Sequence, residues 1–139
     1  MKTIDEIISR EDYKRMNEAL IGRAIELAKK LRDVCLKMDF EVYDSFKLGG
    51  RTFQVRRVKS SSGFSEWHLY MFTERDLVAL DERRSYYFCN DFNCWVTASN
   101  NTEKLDFLNH AKQIFADIES EMDARVKEIK NALENCEGL

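Results

Sequence analysis

The chain has 139 residues, no proline, five glycines, four cysteines and a net charge of −3. This length suits one hydrophobic core and is short for two ordinary domains. Hydrophobic residues at 44% and aromatic residues at 12% are too frequent for a disordered polypeptide, which lacks apolar surface to bury. No apolar run approaches the roughly 20 residues that a membrane-spanning helix needs. Asp5 and Glu6 interrupt the apolar stretch of an export signal, so we expect a cytoplasmic protein with reduced thiols.

Residues 1–39 have the pattern of a long helix. Thr3 with Glu6 is typical of a capping box, and Ser9 with Asp12 offers a second, weaker helix start. Apolar residues at spacings of three and four then form one stripe, which consists of Tyr13, Met16, Leu20, Ala24, Leu27, Leu31, Val34 and Met38. This spacing predicts an amphipathic helix of about 28 residues.

Residues 40–98 hold 13 of the 16 aromatic residues and alternate with the period of two that strands show. Gly49-Gly50 predicts a tight turn. The resulting hairpin pairs Leu48 with Arg51, Phe46 with Phe53, Asp44 with Val55, and Val42 with Arg57. We expect a third strand over residues 66–73, a short helix near 74–80, and a second hairpin over 85–98 that places Cys89 opposite Cys94.

Residues 100–136 again have a helical pattern. Asn100 and Glu103 form a candidate capping pair. The apolar stripe that follows consists of Leu108, Ala111, Phe115, Ile118, Met122, Val126, Ile129, Leu133 and Cys136. Residues 99–139 carry a charge of −4, whereas residues 1–39 carry +1 and residues 40–98 are neutral. The predicted last helix is therefore acidic and about 33 residues long.

These elements predict a single α+β domain over residues 1–139. Its antiparallel sheet has about five strands, two long amphipathic helices flank it, and the order is helix, three strands, short helix, two strands, helix. Absence of proline fits this organisation, because a proline inside a helix costs about 3 kcal/mol.

The predicted helices are too long for one compact globule. A helix of about 28 residues measures roughly 42 Å, whereas a chain of this size has a radius of gyration of about 14 Å. The overhanging stripes can form an extended helical hairpin, pair with a second chain, or bend near Gly22 to cover the sheet. We expect a homodimer, with an oligomer seam of Leu20, Leu27, Leu31, Phe115, Met122 and Ile129.

The sequence contains few residues in the patterns that metal-binding sites and catalytic sites require. Cys89 and Cys94 could bind zinc with His68 or His110, but two buried thiols, or in oxidising conditions a disulfide, explain the pair more simply. Neither histidine lies within a catalytic motif, and G-x-S-x-G, P-loop, G-x-G-x-x-G and H-E-x-x-H sequences are absent. We therefore expect no enzyme, no catalytic residue, no bound metal and no cofactor.

A basic and aromatic segment is the candidate partner-binding surface. It consists of Arg51, Arg56, Arg57, Lys59, Phe64, Trp67 and Tyr70. Arginines beside exposed aromatic rings on a sheet are typical of single-stranded nucleic-acid binding, although this segment has no net charge and no RNP-like motif. Core aromatic residues with solvated arginines explain the same pattern. Asp44 and Arg57 fall on the apolar face of the predicted hairpin and indicate an inward ion pair or a face that meets a partner.

The expected function is a non-enzymatic protein-binding module that acts as a homodimer. One such class is the small phage or mobile-element inhibitor of a host defence nuclease complex, for example a CRISPR effector. The order of elements, the length and the acidity are also similar to those of type III secretion chaperones, which implies an acidic homodimeric chaperone as one alternative. Nucleic-acid binding through the sheet face is the other.

Overall fold

The computed structural model describes residues 1–38, 44–59, 65–87 and 95–139. Its elements are α1 (Ile4–Ile8), α2 (Glu11–Lys37), β1 (Ser45–Leu48), β2 (Arg51–Lys59), β3 (Ser65–Phe72), β4 (Leu77–Ala79), β5 (Tyr86–Tyr87), β6 (Trp95–Val96) and α3 (Asn101–Asn135). The predicted α+β class is confirmed, with an antiparallel sheet and helices at both ends. No helix in the described ranges is both long and apolar enough to cross a bilayer.

Side-chain caps start α1 and α3 as predicted. Thr3 and Asn100 each form a reciprocal capping box with a glutamate three residues later. The predicted start of α2 at Ser9 is wrong, because the Ser9 hydroxyl donates to the carbonyl of Asp5 (2.9 Å) and so belongs to the end of α1. Arg10 is the N-cap of α2 and provides no side-chain cap, and its guanidinium instead pairs with Asp12.

Four strands form one sheet in the order β1-β2-β3-β4, and every neighbouring pair is antiparallel. The first hairpin has the predicted register, with Leu48 opposite Arg51, and both turn glycines have positive φ angles, as tight turns of this kind require. Asp44 precedes β1, and Val42 lies outside the described residues.

The remainder of the sheet differs from the prediction. The expected helix near 74–80 is wrong, because Thr73 accepts a hydrogen bond from the amide of Asp76 and closes a turn that returns the chain as β4 beside β3. The second hairpin, β5–β6, forms a two-stranded sheet of its own, and the residues that follow β6 join the edge of β4 through a single parallel bridge. Cys89 and Cys94 lie outside the described residues.

The main core lies between one face of the four-stranded sheet and the two long helices. Phe53, Val55, Leu69 and Met71 supply much of the sheet side of this core. The helices contribute Ala24, Ala28, Leu31 and Cys35 from α2, and Phe107, Ile114 and Ile118 from α3. A smaller cluster on the opposite sheet face contains Val58, Tyr70, Ala79 and Val96. Two helices packed on one face thus complete a two-layer domain.

The two long helices run in the same direction. Near their starts the Asn101 amide donates to the Asn17 side chain (2.6 Å), and further along Arg125 donates to the carbonyl of Met38 (3.4 Å). The extended helical hairpin, which was one of the three alternatives, is therefore not formed, and α2 also continues without a break through Gly22. The first turns of α2 and the last turns of α3 extend past the shared packing at opposite ends.

The β1–β2 turn touches α3 closely. The amide of Gly49 donates to the Asp117 carboxylate (2.6 Å), and a Cβ at position 49 would lie 2.7 Å from Ile114 Cγ1 and 3.1 Å from its backbone nitrogen. A Cβ at Gly50 would meet nothing within 4 Å. Position 49 therefore requires glycine for space as well as for its φ of +57°.

We expect Gly49→Ala to destabilise the protein more than Gly50→Ala does. Both substitutions put an alanine in the left-handed region, at a cost of about 1–2 kcal/mol. The first also forces α3 away from the turn, which adds about 1–3 kcal/mol, in the range of overpacked sites. Urea unfolding of the two variants measures the difference, and equal losses would show that the contact with Ile114 does not constrain the turn.

Candidate functional site

The predicted partner-binding residues lie on two faces of the sheet. Arg56 and Arg57 are neighbours on β2, so their side chains point in opposite directions. The Arg56 guanidinium lies 5.9 Å from the centre of the Tyr70 ring, and the Arg57 guanidinium lies 5.9 Å from the Trp67 ring. Tyr70 is buried and Trp67 is half-buried against the main core. The structure thus forms two separate cation–π pairs rather than one stacking platform.

Arg51 forms an intramolecular ion pair with Asp106 on α3. Its Nε and Nη2 donate to the two carboxylate oxygens at 2.9 and 2.6 Å, and this contact lowers the pKa of Asp106. The pair connects the start of β2 to α3 and is a structural contact. Lys59 is the last residue of β2, and Phe64 lies outside the described residues.

The predicted oligomer seam divides between the core and the surface. Leu31 is buried, and Leu27 and Phe115 pack against the main core. Leu20 is half-buried on α2. Met122 and Ile129 are exposed and lie on α3 beyond its last buried residue, Ile118. The packed part of the seam joins α2 to α3 within one chain, and its exposed part is confined to the end of α3.

An exposed apolar stripe occupies the last turns of α3. Its members are Met122, Val126, Ile129 and Leu133, whose exposed fractions are 39, 62, 60 and 63%. We call these four residues the α3 stripe. Their spacings of four, three and four continue on one helix face, and Met38 at the end of α2 borders the groove beside them. No other part of the described chain covers this face.

A second exposed apolar group lies at the opposite end of the domain. It consists of Ile4 and Ile7 on α1 and of Tyr13 and Met16 on α2. Ile7, Tyr13 and Met16 line a shallow groove together with Arg10 and Asp12. We call Ile4, Ile7, Tyr13 and Met16 the N-terminal patch. The domain therefore exposes apolar surface at both ends, which is typical of interaction sites.

A cluster of charged groups surrounds the buried ring of His68, whose side chain is 2% exposed. Its Nε2 lies 3.2 Å from Glu66, and its Nδ1 lies 3.3 Å from Asp81 and 3.4 Å from Glu82. Arg32 on α2 donates to the second carboxylate oxygen of Asp81 (3.3 Å). We call Glu66, His68, Asp81 and Glu82 the histidine cluster.

Antiparallel pairing explains how these groups meet. Glu66 and His68 are two residues apart on β3 and therefore share a face. The β3–β4 ladder pairs Tyr70 with Ala79 and continues with the amide of Leu80 donating to Leu69, which places Asp81 opposite His68. The cluster was not predicted from the sequence, because a helix was expected in place of β4. The pattern Glu66-x-His68 was a visible signal, but Asp81 and Glu82 needed the correct strand pairing.

The surroundings shift the pKa of two members of the cluster. Burial works to lower the pKa of His68, but the hydrogen bond with Asp81 and the charges of Asp81, Glu82 and Glu66 outweigh it and raise the pKa. Burial raises the pKa of Glu82, and repulsion from Asp81 and Glu66 adds to this shift although His68 opposes it. His68 and Glu82 therefore hold their protons more strongly than the same groups in an unfolded chain.

No protein family model, no curated protein and no solved structure matches this chain. Its function is therefore argued from its surfaces and clusters alone.

We expect His68→Asn to flatten the pH dependence of stability above about pH 6.5. Unfolded histidine loses its proton near pH 6.5, whereas folded His68 keeps it to higher pH. The folded state then binds more protons, so the free energy of unfolding falls as pH rises, by at most about 1.4 kcal/mol per pH unit for one proton. The raised pKa of Glu82 acts in the same direction from about pH 4.5 upward.

Urea unfolding at several pH values, with a chelator present so that only protons exchange, measures this slope. His110→Asn is the matched control, because His110 is the other histidine and is half-exposed on α3. The control should keep the wild-type slope. An unchanged slope in the His68 variant would contradict the assignment.

Proposed function

We propose that the chain is a non-enzymatic protein-binding module that acts as a homodimer, and that the α3 stripe is its self-association surface. The observation that carries this proposal is the change of environment along α3. Ile114 and Ile118 are buried in the core, whereas the apolar positions after them are exposed on a helix that continues to Asn135. A helix face of this kind is stabilised by a second helix.

The spacing of the α3 stripe suits a second copy of the same helix. Met122, Val126, Ile129 and Leu133 occupy successive core positions of a heptad pattern over about two heptads. Covering a half-exposed side chain of this size contributes about 1 kcal/mol, or about 8 kcal/mol for two copies. Association costs about 4–15 kcal/mol, so the expected dimer is concentration-dependent.

Charges beside the stripe favour an antiparallel pair of helices. With a twofold axis between residues 127 and 128, Val126 packs on the partner copy's isoleucine at position 129, and Met122 packs on the leucine at position 133. Asp123 then faces the lysine at position 130 of the other copy, and this favourable contact occurs twice. A parallel pair would instead place Arg125 near that lysine and bring like charges together.

This arrangement gives an elongated dimer. The start of α3 lies about 40 Å from the proposed axis, so the two N-terminal patches are about 80 Å apart. Each patch remains exposed for another protein. The expected target class, a host defence nuclease complex, stays a prediction, as does the alternative of a secretion-type chaperone, which would also be dimeric. Nucleic-acid binding is less favoured, because Tyr70 is buried and Arg51 is paired with Asp106.

We expect the double substitution Ile129→Lys and Leu133→Lys to give a monomer with an unchanged fold. Both side chains are exposed, so the change removes intermolecular contacts and spares the core. Sedimentation analysis across a concentration series measures the oligomeric state. Ala124→Lys with Asn131→Lys is the matched control, since both residues are exposed on the polar face of the same helix. A wild-type protein that stays monomeric at every concentration would overturn the proposal.

We further expect charge reversal to distinguish the two helix orientations. Asp123→Lys should weaken the dimer by placing like charges on both sides of the axis, and adding Lys130→Asp should restore it. Small-angle scattering should show the elongated shape in the wild-type and in the doubly reversed protein. If Asp123→Lys alone leaves the dimer dissociation constant unchanged, the antiparallel pairing is wrong. That result would not bear on the α3 stripe as the contact surface, which the Ile129→Lys and Leu133→Lys substitutions test separately.

A further inference from the structure

We propose that Glu66, His68 and Glu82 bind a divalent transition-metal ion, for which Zn²⁺ is the fitting probe. One potential ligand atom from each of these side chains lies within 4.8 Å of the other two. The set combines an imidazole with two carboxylates, which is a ligand class that zinc uses when a water completes its coordination. This inference concerns a different part of the domain from the α3 stripe and does not depend on dimer formation.

The β3 strand holds two of the ligand residues, Glu66 and His68, side by side before any ion binds. Glu66 and His68 belong to one face of β3, and Glu82 follows β4, which is paired to β3. His68 is buried, so its ring has few alternative orientations. Such preorganisation reduces the ordering cost of ligand binding.

The hydrogen bonds around His68 assign a role to each ring nitrogen. Asp81 accepts from Arg32, so its carboxylate also accepts from Nδ1–H of His68 (3.3 Å). Nε2, which lies 3.2 Å from Glu66, is therefore the nitrogen that can bind an ion. A carboxylate behind the opposite ring nitrogen is the usual partner of a metal-binding histidine, because it fixes the tautomer and the ring orientation.

The charge balance also favours a cation at this position. Three carboxylates surround one imidazole, and burial together with repulsion raises the pKa of Glu82. Arg32 is shared between Asp81 and Asp33, and Lys29 lies near Glu82. An ion at Nε2 would take the place of the imidazole proton beside Glu66, and Glu82, which lies 3.4 Å from Nδ1, would turn toward that ion to become its third ligand.

A shallow cleft gives an ion access to the cluster. Lys29, Arg32, Asp33, Leu36 and Trp67 line this cleft together with Glu66, His68 and Glu82. Glu66 and Glu82 are partly exposed at its floor, with 39 and 27% of their side chains accessible. Because one ligand is an imidazole nitrogen, Ca²⁺ and Mg²⁺, which prefer oxygen ligands, should bind more weakly than Zn²⁺.

Calorimetric titration of chelator-treated protein with Zn²⁺ tests the proposal. The full chain with Cys89, Cys94 and Cys136 changed to serine excludes accessible thiols and should bind one ion per chain. In that background Glu66→Gln and Glu82→Gln should each weaken binding by about 10-fold or more. Glu26→Gln is the matched control, because Glu26 is an exposed carboxylate on α2 that pairs with Arg23 and Lys30.

A second readout tests His68 directly. Zn²⁺ should shift the Nε2 resonance of His68 and leave the resonances of His110 unchanged, and His68→Asn should abolish binding. If that variant does not fold, the two glutamine variants and the imidazole resonances still decide the outcome. Failure of the serine-substituted chain to bind Zn²⁺, or equal affinity in the Glu66, Glu82 and Glu26 variants, would overturn the proposal.

Discussion

Helix α3 is about 52 Å long, whereas the longest strand, β2, extends about 30 Å. Its first half is fixed by specific contacts, since Asp106 pairs with Arg51 and Asp117 accepts the amide of Gly49. These contacts hold the β1–β2 turn against the helix and end close to Ile118, where the core also ends. The α3 stripe, which follows Ile118, is exposed. The difference in length between helix and strand therefore determines both the core and the exposed stripe.

Because α2 and α3 run in the same direction, their exposed apolar turns lie at opposite ends of the domain. Two antiparallel helices of unequal length would leave their surplus at one end, where the apolar faces could cover each other. In this structure Asn17 lies beside Asn101, and Met38 lies beside Arg125, so the surplus turns lie at opposite ends. Neither exposed group can cover the other within one chain. Contact with a second molecule would remove them from water.

Local signals in the sequence predicted local structure well. The capping residues Thr3 and Asn100 and the pair Gly49-Gly50 act through neighbours within three residues, so helix starts and one hairpin register followed directly. Contacts between distant segments were not predictable in this way. The arginine of β2 that pairs with Asp106 is 55 residues away from it, and a strand of three residues, Leu77–Ala79, is too short to show a period. The partner-binding surface and the histidine cluster both depended on such contacts.

The histidine cluster is unusual for a domain with a core of this size. Replacing buried charges with apolar residues of similar volume is often neutral or stabilising, so buried ionic groups are weak stabilisers. Here a fully buried imidazole is surrounded by three carboxylates, and only Asp81 among them is as deeply buried as the ring. A purely structural histidine needs one such partner. The two further carboxylates, Glu66 and Glu82, lie at the solvent side of the ring, where 39 and 27% of their side chains are accessible. A ligand that enters from solvent would meet these two groups first.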